Sequence, residues 1–258
     1  MNAREEILTR LRETLRRPDL RFPPPETHRL TDEERMTVTQ AEGDRWDLAR
    51  RFGEELTALH GSYELVETVA EARMAAIAQL RAWVEEEQAA RRTQHPELPG
   101  DWDVLTWEPE HLPVAGLAEA LTDMNFQLVT PQDLHDPEER QRVRRVRAGV
   151  TGVDAAFAST GSVLLGAGPG RSRVASLTPY RHLVLIPLSK LHPTMEAWLA
   201  EQRRYGTLTD FLRESRNVVI ISGPSKSADI EGNLTMGVHG PKVVHAILFD
   251  DLEAMIRG

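Results

Sequence analysis

Short runs of apolar and β-branched residues at 155–158, 162–166, 182–187, 217–222 and 243–249 punctuate the second half of this 258-residue chain, and helical patterns, notably 193–204, separate several of them. Strands that alternate with helices pair in parallel and lay helices on both faces of a sheet, so this pattern predicts an α/β fold. The first half carries the same alternation. Strands are expected near 63–69 (YELVETV), 103–107 and 126–130, and helices over 31–60, 70–94, 114–122 and 137–148. Leu48, Phe52, Leu56 and Leu59 share one helical face, and Ile77, Leu80, Trp83 and Val84 another. One segment departs from the alternation. Two short apolar runs flank Ser159-Thr160-Gly161-Ser162, which predicts a hairpin and makes the sheet mixed.

The N-terminal stretch reads as an extension. Ile7, Leu8, Leu11 and Leu15 fall at helical spacing, and Pro23, Pro24 and Pro25 stop the helix because each lacks a donor and fixes its φ. Residues 1–30 are therefore expected to be a helical arm and proline-rich linker, with 31–258 as the α/β domain. The apolar stripe either covers the protein's own core or docks a partner subunit. MNAREEILTRLRETLRR is too charged for a signal peptide, and no run approaches the roughly 18 apolar residues of a membrane span. A soluble, cytoplasmic protein with no membrane partner is expected.

Charge and cysteine content narrow the chemistry. Forty acidic against 31 basic residues give a net charge of −9, which argues against a protein that coats nucleic acid. The chain has no cysteine, which removes disulfides, thiol catalysis, Cys-based zinc sites and thiolate-held iron–sulfur clusters. No cofactor is expected within it. The basic helix 137–148 is most simply a solvated face.

Three segments carry candidate chemistry. GAGPGR (166–171) follows a strand, but its sixth position is Arg171 and Pro169 lacks an N–H, so it reads as a loop and not a dinucleotide fingerprint. SGPSKSADIEGN (222–233) follows the strand NVVII. Pro224 suits a first helical turn, which predicts a strand, a tight turn and one or two helical turns, with the amides near Ser225, Lys226 and Ser227 open to an anion. Ordinary capping is the plainer alternative. Asp229 and Glu231, two residues apart, would face different sides of such a helix and do not form a carboxylate dyad. In GVHGPK (237–242), glycines flank Val238-His239, and His239 can act as acid, base or ligand anchor, while His245 lies inside the next strand as a packed residue. No HxH or HExxH spacing indicates a metal, and no G-x-S-x-G elbow supports a serine nucleophile.

Taken together, Val150-Thr151-Gly152-Val153-Asp154-Ala155-Ala156, Thr160-Gly161-Ser162, Ser222 to Glu231 and Gly237 to Pro241 resemble the lactate-utilization (LUD) domain proteins, and among them the lactate utilization protein C branch. The pairing of SGPSKSADIE with GVHGP is the specific part. The motifs cover about 149–249, and 31–148 fits the family's layout loosely. One departure is Ser159, where the family commonly has an acidic residue before TGS.

The resemblance implies a three-layer α/β/α sandwich of the phosphosugar isomerase/CoA-transferase-like type. It also implies a part in oxidation of L-lactate to pyruvate beside an iron–sulfur LUD protein and a cysteine-rich-domain protein. The expected site combines His239, Glu231 and Asp229 as catalytic candidates with Thr160, Gly161, Ser162, Ser222, Gly223, Ser225, Lys226, Ser227 and Gly240 around a small anionic metabolite. Two rivals remain at this point. One is a stand-alone isomerase or transferase acting on a phosphorylated or CoA-linked metabolite; the other is a non-catalytic ligand-binding module.

Overall fold

The computed structural model describes residues 3–17, 41–91, 98, 100–228, 234–237 and 239–251. The proline run 23–25, the helical reading of 31–40, and Asp229 and Glu231 lie outside the described residues. The chain divides into two compact units, Met1–Val38 and Thr39–Gly258. The first contains helix α1 (Ala3–Arg16).

The second unit is α/β, as the alternation predicts. Its main sheet has six strands, all parallel: β1 (Ser62–Val66), β2 (Asp103–Thr106), β3 (Gln127–Val129), β4 (Ala148–Thr151), β7 (Arg181–Pro187) and β12 (Val243–Phe249). Their order across the sheet is β1-β12-β7-β4-β2-β3. All seven residues of β7 are buried, as expected for a central strand covered on both faces. Leu183, Leu185, Ile186, Leu248 and Phe249 anchor the core there.

Helices α2 (Arg45–Ala58) and α3 (Val69–Ala90) begin at capping boxes. Asp44 accepts from the Trp46 and Asp47 amides at 2.7 and 2.9 Å, and Thr68 accepts from the Glu71 amide at 3.1 Å. α2 buries Leu48, Phe52 and Leu56, and α3 buries Ile77, Leu80, Trp83 and Val84, as helical spacing predicts, while Leu59 is the half-buried C-cap of α2. Gly53 is fixed by packing, because a Cβ there would stand 2.2 Å from the Tyr63 ring.

The expected hairpin is present, but it belongs to a second sheet. β5 (Ala155–Phe157) and β6 (Ser162–Ala167) pair antiparallel, with β8 (Leu191–His192) outside β5 and β9 (Asn217–Ile221) outside β6. Alternation along these strands explains the separation. Ala156, Ala158, Val163 and Leu165 point into the main core, whereas Ala155, Phe157 and Leu164 point the other way. The latter three meet Trp198, Leu199, Leu208 and Phe211 on α7 (Met195–Tyr205) and α8 (Leu208–Glu214). Helices α4 (Leu117–Asp123), α5 (Pro137–Arg145) and α6 (Val174–Leu177) complete the layers. α6 lies so close to β4 that a Cβ on Gly149 would overlap the Ala175 carbonyl at 1.9 Å.

Candidate functional site

The helical turn expected after β9 does not form. Lys226–Ala228 is instead a short strand, β10, paired antiparallel with β11 (Leu234–Met236). The reason lies in where the backbone groups are satisfied. Gly223 turns the chain at φ +73, and the Ser225 amide donates to the Pro241 carbonyl at 2.9 Å. The Ser225 carbonyl accepts from the Gly237 amide at 2.8 Å. With both groups committed across the chain, the described part of this segment has no open helical N-terminus, so it offers an anion its side chains and not a helix end.

The three motif loops nevertheless meet. β6 and β9 run antiparallel with Val163 opposite Ile221, so the start of one strand lies beside the end of the other. That places Ser162 against Ser222, with their hydroxyl oxygens 2.8 Å apart. Ser162 also donates to the Thr160 carbonyl at 3.3 Å. The Ser225 hydroxyl accepts from the His239 amide at 3.2 Å, which ties the HGP loop to the SGPS loop. A cleft of about 510 Å³ opens over this junction. Ser222, Gly223, Ser225, Lys226, His239 and Gly240 line it, together with the residues of β9, and none of its described lining residues is acidic.

Several predicted residues stand elsewhere. Ser162 is buried one hydrogen bond behind Ser222 and does not line the cleft. Thr160 and Gly161 form the turn into β6. Gly161 has φ +58 and packs so tightly on α2 that a Cβ would come within 2.4 Å of the Leu56 amide nitrogen. Ser227 enters β10 opposite Thr235. Asp154, in the first motif, organises the loop after β6. It accepts from the Gly166 amide at 2.6 Å and from Arg171 at 2.7 Å.

Sequence reading missed Arg173, Ser176, Leu177 and Asn217, which also line the cleft. Arg173 follows the GAGPGR loop, and only the fold brings that loop to the start of β9, so no local signal could have marked it. Two histidines fall outside the site. His182 in β7 is fully buried, its Nε2 2.9 Å from the Thr151 hydroxyl, and burial pushes it down to about 3. His245 in β12 stands with Nδ1 2.8 Å from the Ser62 hydroxyl, and burial pushes it down to about 4. Both are neutral packing residues at neutral pH. Among the described residues, one group could hold a metal by ligand geometry: Glu108, Glu110 and His111, mostly exposed and none of them lining this cleft.

A profile described as LUD domain matches residues 49–249. A lactate utilization protein C from Exiguobacterium sp. is 44% identical over 122 residues, covering 46% of this chain and 52% of that protein. The protein of the same name from Halalkalibacterium halodurans is 33% identical over 151 residues, covering 58% and 63%. The matched stretches thus span about half to two thirds of these relatives. The crystal structure of a DUF162 family protein from Deinococcus radiodurans aligns with a TM-score of 0.49 at 18% identity, covering 81% of this chain and 99% of that one.

Proposed function

The chain belongs to the LUD domain family, and on that footing we propose that it serves L-lactate utilization as a subunit that performs no redox step itself and whose cleft holds a small carboxylate or phosphate-bearing anion. The observation that carries this reading is the placement of Lys226 and His239 in one cleft with the Ser222 and Ser225 hydroxyls and no described carboxylate, in a chain of net charge −9. An ammonium and hydroxyl donors facing an acid-free cleft attract a carboxylate, and charge-assisted hydrogen bonds supply most of the affinity. Lys226 neutralises the anion. His239, its backbone fixed through Ser225, donates a hydrogen bond or passes a proton. The relatives' names supply the link to lactate.

Oxidation of lactate to pyruvate releases two electrons. A chain without cysteine cannot hold a cluster by thiolates, so the electrons go to partners, which we take to be an iron–sulfur LUD protein and a cysteine-rich-domain protein. We place the system in the cytoplasm; no described helix is long and apolar enough to cross a membrane.

Calorimetric titration with L-lactate, pyruvate and inorganic phosphate tests the cleft. At least one should bind, and Lys226→Gln should weaken it about 10- to 100-fold, the loss of one charge-assisted bond worth about 1.5–3 kcal/mol. Binding indifferent to Lys226 overturns the assignment. Affinity purification of the tagged chain from its native lysate should bring down an iron–sulfur protein. Turnover of a metabolite by the isolated chain would overturn the subunit reading.

A further inference from the structure

A second cleft of about 430 Å³ adjoins the first, with Arg173 and Asn217 in the lining of both. Thr130, Gln132, Arg171 and Arg216 line its other walls. Its arginines divide into two kinds. Arg171 is neutralised by Asp154 at 2.7 Å and serves the loop. Arg173 and Arg216 are exposed, and no described acidic side chain pairs with either. Lys226, at the far end of the first cleft, is likewise exposed, and no described acidic side chain pairs with it.

Between these ends runs β9, an edge strand whose side facing away from β6 has no partner among the described strands. Val218 and Ile220 are 37% and 49% exposed along it, beside Leu177 at 45%. From Asn217 to Ser222 is five residue steps, or about 16 Å of extended backbone. The two clefts form a groove with cations at each end, an apolar floor between, and the backbone of an unpaired strand along its length. A lactate-sized anion would occupy one end only and leave the floor wet.

We propose that the groove is a two-ended anion site for an elongated metabolite that carries a phosphate or diphosphate at the Arg173–Arg216 end and a carboxylate at the Lys226–His239 end. This rests on the anion cleft proposed above and names its ligand class. Guanidinium forks match phosphate oxygens in pairs, whereas a lysine with hydroxyls suits a carboxylate as a point charge. The chain between the two ends covers Val218 and Ile220, and amide groups within it can bond to the strand edge. Joining two weakly held anions in one molecule makes the second contact intramolecular, so affinity rises steeply once the length spans both ends.

The test is a titration of the full chain with a ruler of ω-phosphonoalkanoates, from 3-phosphonopropanoate to 12-phosphonododecanoate, with dodecanoate as the apolar control. The long phosphonate should bind about tenfold or more tighter than either the short one or dodecanoate. Arg173→Gln with Arg216→Gln should erase that gain while short-phosphonate binding stays sensitive to Lys226→Gln. Melting curves confirm that the exposed substitutions leave the fold intact. A gain that dodecanoate matches, or one that survives the double arginine substitution, overturns the two-ended site and leaves the single cleft standing. Long-phosphonate binding that needs the arginines but ignores Lys226 overturns the two-ended site and the cleft reading together.

Discussion

Lowering the pH from 7.5 to 5 should cost this protein about 4 kcal/mol of stability through two buried imidazoles. His182 and His245 sit on neighbouring strands one register position apart, since Val244 is opposite His182 and Leu183 is opposite His245, so they point to opposite faces of the main sheet. Each has one ring nitrogen on a hydroxyl and the other buried without a partner among the described residues, Nδ1 of His182 and Nε2 of His245. Burial holds them at about 3 and about 4, against 6.5 for a free histidine.

The sign follows from linkage. At pH 5 the unfolded chain binds a proton at each imidazole and the native state binds neither, so stability is complete above 6.5 and drains as pH falls towards the native values. At pH 5 each group lies about 1.5 units below its unfolded value, and at about 1.4 kcal/mol per unit that is about 2 kcal/mol apiece. The total is a large share of the 5–15 kcal/mol typical of a domain. Urea unfolding at pH 7.5 and 5 measures it. His182→Leu lowers stability at pH 7.5, because the Thr151 hydroxyl loses its partner, and it should remove about half of the pH dependence. Adding His245→Leu should remove most of the rest, leaving the share of His192, whose imidazole burial also holds below 6.5. Asp101 does not confuse the result: burial alone would raise its carboxyl, but the Arg91 guanidinium and the Leu98 amide outweigh that and hold it below 3.8, so its contribution is lost only at lower pH. A His182→Leu protein with undiminished acid sensitivity would refute the reasoning.

Other outcomes follow from packing. Gly161→Ala forces a Cβ against the α2 backbone at a positive φ and should destabilise by about 3 kcal/mol or more, read as a lower melting temperature. Asp154→Ala strands Arg171, whose side chain is 19% exposed, and frees the Gly166 amide; a loss of about 3 kcal/mol in chemical denaturation is expected. Trp198→Ala removes the ring that Phe157 and Phe211 meet edge-on at 6.3 and 5.6 Å, and should cost about 3–5 kcal/mol with early hydrogen exchange in α7 and α8.

Much of the fold was legible because its strands are either fully buried or bounded by clear turns. RHLVLI at 181–186 and VVHAILF at 243–249 admit few readings, and the faces of α2 and α3 follow from helical spacing. The hairpin at 155–166 was legible too, but its assignment to a separate sheet was not. That depends on which alternate residues find Trp198, some 40 positions away, and local pattern carries no such information. The site shows the same division. Ser222, Lys226 and His239 were chosen by residue type and do line one cleft. The helix expected at Pro224 failed because β10 finds β11 across the chain, and pairing between separated segments overrides a local start signal. Gly161 was chosen for the motif it sits in, whereas its position is dictated by the α2 backbone behind it.

The Ser162–Ser222 contact has a consequence for whatever rests above it. Each hydroxyl carries one hydrogen and only one of the two can lie between the oxygens, while Ser162 has a second outlet in the Thr160 carbonyl at the longer distance of 3.3 Å. With Ser162 turned towards that carbonyl, Ser222 must donate inward and shows the cleft only lone pairs. With Ser162 turned towards Ser222, the outer hydroxyl has its proton to give to the cleft. Two torsions about light atoms thus convert the floor from acceptor to donor at the expense of one long bond, so the same surface can receive an acid in its protonated or its ionised form without any heavy atom moving.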